Sequence, residues 1–138
     1  VSDDKVDRGD KDKVQVGLGQ EADAALKDLV ANGVFPSESV GYRFGVAYAL
    51  SRSIDPSAVE IVANKTKFAS TGLDPDARLQ TLVRAFMPDC ERPYWAAEKL
   101  ADWGIRDLAR RLGAQEGLAD ILDDAVAAPL GTPAPAPG

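Results

Sequence analysis

The chain holds 138 residues, 22 of them alanine, a length that buries one core and a composition that favours helix. Lys and Arg total 16 against 22 Asp and Glu, so the net charge is −6, which excludes a uniform basic coat for nucleic acid or anionic lipid and leaves room for a local basic site. With no histidine and one cysteine, Cys90, the chain lacks the parts for Ser-His-Asp or Cys-His catalysis, histidine-ligated zinc, an intrachain disulfide or a multi-cysteine metal site.

The opening segment VSDDKVDRGD is charged, and no apolar run reaches the roughly 18 residues that a membrane span needs. The expectation is a cytoplasmic protein with no membrane partner. Residues 1–12 interleave Asp3, Asp4, Asp7, Asp10 and Asp12 with Lys5, Arg8 and Lys11, the composition of a disordered arm. Val14, Val16 and Leu18 then alternate with Lys13, Gln15 and Gly17, which predicts a short strand with one apolar face. From Gln20 the period lengthens, and Ala22, Ala25, Leu26, Leu29 and Val30 form one helical stripe that ends at Asn32-Gly33. After Val34-Phe35-Pro36, Ser37 or Ser39 caps a second helix running to about Arg52. Its apolar residues cover more than one face, so it must be buried on several sides.

Asp55-Pro56 breaks the chain, and AVEIVAN over 58–64 is ambiguous between helix and strand, with helix weakly preferred. Residues 64–72 read as a loop. Asp74-Pro75-Asp76 supplies a cap, a first-position proline and a first-turn acid for a helix over about 75–87. A longer helix follows from Pro93 to Leu112, closed by Gly113, and Leu118, Ile121 and Leu122 suggest a short last one. The helices over 75–87 and 93–112 are expected to pack as an antiparallel pair. Four prolines within the last ten residues mark a disordered tail over 128–138. No internal repeat of useful length stands out.

The order strand, amphipathic helix, Gly-containing turn and apolar second helix over residues 13–52 resembles the ribbon-helix-helix (Arc/MetJ-type) DNA-binding superfamily. The resemblance implies a mainly α fold. A ribbon-helix-helix-like unit over 13–54 pairs its strand with that of a second subunit in an intersubunit antiparallel β-ribbon, and a helical extension covers 55–127. By position it assigns Lys13, Gln15 and Gly17 to the outward, DNA-facing side of the ribbon, although Gly17 has no side chain to read with. Ser37, Ser39 and Arg43 fall at the start of the second helix, where a phosphate would be anchored, with Glu38 opposing it. Val14, Val16, Leu18, Tyr42, Phe44 and Tyr48 are the expected dimer interface. Residues 13–52 are neutral, so the acidity lies mostly outside this unit.

Elsewhere the residues have plainer explanations. Asp74 and Asp76 read as helix caps, Lys65 and Lys67 as solvated lysines, and Arg106, Arg110 and Arg111 as complements to a helix C-terminus. Gly17-Leu18-Gly19 lacks the spacing of a phosphate-binding loop. Tyr94, Trp95 and Trp103 concentrate in one helix, mainly as core, with a protein-partner surface as the other reading. The expectation is therefore a homodimeric or higher-order DNA-binding protein, a small transcriptional regulator, with no catalytic residues, cofactor or metal. The alternative is a non-enzymatic oligomerisation or protein-interaction module that serves a larger DNA-acting system.

Overall fold

A computed structural model describes residues 11–114, 117 and 121. All but the last two residues of the charged arm expected over 1–12, most of the last helix around Leu118 and Leu122, and the tail over 128–138 lie outside the described residues. The chain is mostly helical with one small two-stranded antiparallel sheet. Strand β1 (Gln15–Leu18) leads through Gly19 into α1 (Gln20–Ala31), and Asn32 and Gly33, the latter at φ 79°, end that helix where the sequence places its stop. Helix α2 (Glu38–Ser51) begins at Ser37, whose hydroxyl accepts the Val40 N–H.

The stretch after α2 departs from expectation. Only Pro56–Ala58 forms a 3-10 turn, where 58–64 leaned to helix. Residues read as a loop form strand β2 (Lys65–Ala69) and a single helical turn, α3 (Ser70–Leu73). Strand β2 pairs with β1, setting Gln15 opposite Ala69, Val16 opposite Phe68, Gly17 opposite Thr66 and Leu18 opposite Lys65, with a bulge between Val16 and Gly17. The strand that lacked an obvious partner within the chain is thus paired within it along one of its two edges. KTKFA hides this role because its side chains are mostly exposed, so no buried face imposes a period of two.

Helix α4 (Arg78–Phe86) starts three residues later than Pro75 suggested. Ala77 takes a left-handed conformation, φ 56°, and Asp74 reaches forward to accept the N–H groups of Leu79 and Gln80. Helix α5 (Pro93–Gly113) starts at Pro93 as expected and runs one residue past Leu112, with Ala114 as its C-cap. It packs on α4, and its largest contact is with α2. The two helices meet closely enough at Gly45 and Gly104 that a Cβ on Gly104 would overlap the Gly45 carbonyl. Tyr42, Val46 and Ala49 from α2 and Leu100, Ala101, Ile105 and Leu108 from α5 are fully buried along this seam, with Leu26 of α1 and Val83 of α4 in the same core.

The element order itself recurs. A strand followed by two helices (β1, α1, α2) is succeeded by a second strand and its helices (β2, α3 with α4, α5), and the two strands pair antiparallel. Asp23–Val30 (DAALKDLV) and Asp76–Val83 (DARLQTLV) agree at five of eight positions. Each places its first Leu, Leu26 or Leu79, in the core.

Candidate functional site

The ribbon is held to the helices by two acids that the sequence analysis did not single out. Glu98 and Asp102 lie one turn apart on α5 and are 5% and 2% exposed. Glu98 accepts the Gly17 N–H at 2.8 Å and pairs with Lys13 at 3.2 Å. Asp102 accepts the Gly19 N–H at 2.9 Å and pairs with Arg106. Tyr42 completes the arrangement by donating its hydroxyl to the Gly17 carbonyl at 2.9 Å. Its phenol is pushed well above the ordinary tyrosine value by burial, then by the charges of Glu98 and Asp102, so it stays a donor. The signal in sequence is two acids at i and i+4 inside an Ala- and Leu-rich stripe, a spacing that solvated helix faces share.

A second set of polar contacts ties β2 to the first helix pair. Lys67 bridges Asp23 of α1 and Glu38 of α2. Burial opposes its charge, but the bonds to Asp23 and Glu38 outweigh that and raise its pKa. Asp23 responds in the opposite sense: burial raises its pKa, while the bonds from Lys67 and Lys27 bring it below the usual carboxylate value.

These contacts decide which expected site residues are available. Gln15 is exposed on the outer face of the ribbon, as expected. Lys13 is not free, because its ammonium is paired with buried Glu98. Gly17 is buried: a Cβ there would overlap the Lys65 carbonyl and come within 2.8 Å of the Asn64 Oδ1, so the start of β2 covers this position. Ser37 is used as the α2 cap and contacts Ser39 at 3.2 Å, while Arg43 donates to the Leu73 carbonyl at 2.8 Å.

The residues expected at a dimer interface are mostly interior to this one chain. Val16, Leu18, Tyr42 and Tyr48 are at most 2% exposed and Phe44 is half-buried, whereas Val14, expected to face inward, is 77% exposed. Val14 lies just before the strand, and its carbonyl accepts the Ser70 N–H while its side chain is left outside.

Strand β2 exposes Ala69 opposite Gln15 and, toward its other end, Thr66 and Lys65. The N-terminus of α5 is already occupied by an acid, because Asp12 accepts the N–H groups of Tyr94 and Trp95 at 2.7 and 2.9 Å. A cavity of about 470 Å³ opens beside the start of α1 between Gln20, Glu21, Glu60, Val62 and Arg106. Its Arg106 is paired with Asp102, and Glu21 and Glu60 would oppose an anion. Asp74 acts as a cap and also accepts the Tyr94 hydroxyl at 2.7 Å. Burial, with this bond and the Asp74 charge, raises the Tyr94 phenol far above its ordinary value.

The other cationic and aromatic residues noted in sequence are likewise engaged. Arg110 pairs with Asp107, Arg111 donates to the Tyr48 hydroxyl, and Trp103 stacks on Tyr48 with ring centroids 6.0 Å apart. Among the described residues no helix is long and apolar enough to cross a membrane, and no cluster of three or more His, Cys, Asp or Glu is placed to hold a metal ion. Compared with protein-family models, with curated proteins and with solved structures, the chain finds no match.

Proposed function

We propose that this chain is a non-enzymatic DNA-binding module of the ribbon-helix-helix type in which one chain supplies both strands, serving as a small regulator or as an accessory protein of a DNA-acting system. The observation that carries the reading is the ribbon: two antiparallel strands, each followed by helices, sit on a core built around the α2–α5 crossing and leave Gln15, Lys65 and Thr66 exposed. A two-stranded ribbon fits the major groove, where Gln pairs bidentately with adenine and Thr bonds to either base type. Lys13 and Gly17 leave the reading set because both are engaged internally, and Thr66, opposite Gly17, enters it. A second copy is not needed to complete such a ribbon, so a monomer is the binding unit.

The competing reading, a protein-interaction module, is favoured by one observation. The cations and helix ends that would anchor phosphates are largely satisfied within the chain, Lys13 by Glu98 and the α5 N-terminus by Asp12. Fluorescence anisotropy of the folded full chain with short duplexes at about 50 mM salt separates the two, since the electrostatic contribution is strongest there. The DNA reading expects binding that weakens with salt at a slope of about −0.9 per phosphate neutralised, and a small slope because few cations are free. No binding at that salt by a folded chain would overturn it and leave the interaction module.

A further inference from the structure

The two strands of this ribbon are not equivalent, and the difference lies on the surface that the DNA-binding reading uses. At one end Gln15 stands opposite Ala69; at the other, Thr66 stands opposite Gly17, and the Asn64–Lys65 backbone crosses over Gly17. A symmetric dimer would repeat each outward side chain about its two-fold axis, and its binding site would be correspondingly palindromic. Here one end offers an amide that can both donate and accept, and the other offers the Thr66 hydroxyl, while Lys65, opposite buried Leu18, falls on the other face of the strand.

The flanks differ in the same way. Helix α2 starts from a neutral serine cap with Glu38 bound to Lys67, while α5 starts from the Asp12 carboxylate. At the start of α5 the Asp12 carboxylate accepts the helix N–H groups itself, whereas at the start of α2 the Glu38 carboxylate is turned to Lys67.

We infer that the ligand is a duplex with a non-palindromic site, bound by one chain in a single orientation, with Gln15 reading one end and Thr66 the other. The inference rests on the DNA-binding reading. Each end is therefore separately mutable: both Gln15 and Thr66 are exposed, so their replacement leaves the core intact.

The test is selection of duplexes from a random pool by the full chain at about 50 mM salt, followed by native mass spectrometry of the complex and repeat selections with Gln15→Ala and Thr66→Ala. The expected result is an asymmetric consensus, one chain per duplex, and a loss of preference confined to opposite ends of the site in the two variants. Each variant should weaken the selected site about tenfold and random duplex less than twofold. A palindromic consensus, two chains per site, or both variants relaxing the same positions would overturn the asymmetric reader while leaving DNA binding intact. Failure to retain any duplex above the unselected pool would overturn the DNA-binding reading and this inference with it.

Discussion

Replacing Gly104 with Ala probes the crossing on which both halves of the molecule depend. In an open helix this change stabilises by about 0.5–1 kcal/mol, because Ala loses less backbone freedom on folding. At Gly104 the added methyl would occupy the space of the Gly45 carbonyl, a backbone group that cannot rotate aside. Relief requires α2 and α5 to part by roughly 1 Å, which already forfeits a quarter to a half of the attraction at each contact along the seam. Overpacking of this kind costs about 1–3 kcal/mol, occasionally more, and the rigidity of the obstacle places Gly104→Ala at the upper end even after the propensity gain.

For a domain of this size that corresponds to a fall in Tm of about 8–12 °C. Gly45→Ala makes the comparison. Its methyl would approach the Ile105 Cγ1 at 2.9 Å and the Ala101 carbonyl at 3.3 Å, and the first of these is a side chain with some room to turn. Its cost should stay near 1 kcal/mol. Thermal and urea unfolding of the full chain, followed by circular dichroism, measures both. A Gly104→Ala chain as stable as the parent, or less affected than Gly45→Ala, would refute the crossing geometry.

Three further outcomes follow from the same contacts. Tyr42→Phe removes the donor that satisfies the Gly17 carbonyl and should cost about 1–3 kcal/mol in urea unfolding, whereas a neutral result would mean that carbonyl finds another partner. Glu98→Leu strands both the buried Gly17 N–H and the Lys13 ammonium, and should destabilise clearly more than Glu98→Gln, which retains an acceptor; equal effects in parallel denaturant titrations would contradict the role assigned to this acid. The folded-state pKa values of Asp23 and Asp107 lie below the ordinary carboxylate value, so their contribution to stability is present above that ordinary value and lost as the pH falls through the lower folded values. Asp23→Asn should therefore flatten the acid limb of a stability–pH profile, and an unchanged limb would count against the Lys67–Asp23 link.

Elements with local causes were legible from the residues alone. The α1 stripe, the Ser37 cap, the Asn32-Gly33 stop and the Pro93 start each depend on neighbours within a turn or two, and all stand where the pattern puts them. What tertiary structure decided was every feature that needs a distant partner. KTKFA has no buried face to impose alternation, so its strand exists because β1 offers a backbone edge some fifty residues away, an intrachain pairing that alternation within either segment does not announce. Glu98 and Asp102 have the spacing of an ordinary solvated face, and only the packing of α5 under β1 makes them acceptors for the Gly17 and Gly19 N–H groups. For the same reason the candidate DNA-facing set changed membership. Side-chain type and alternation could propose Lys13 and Gly17, but a buried carboxylate and a crossing backbone segment, both remote in sequence, determine that neither is free at the surface.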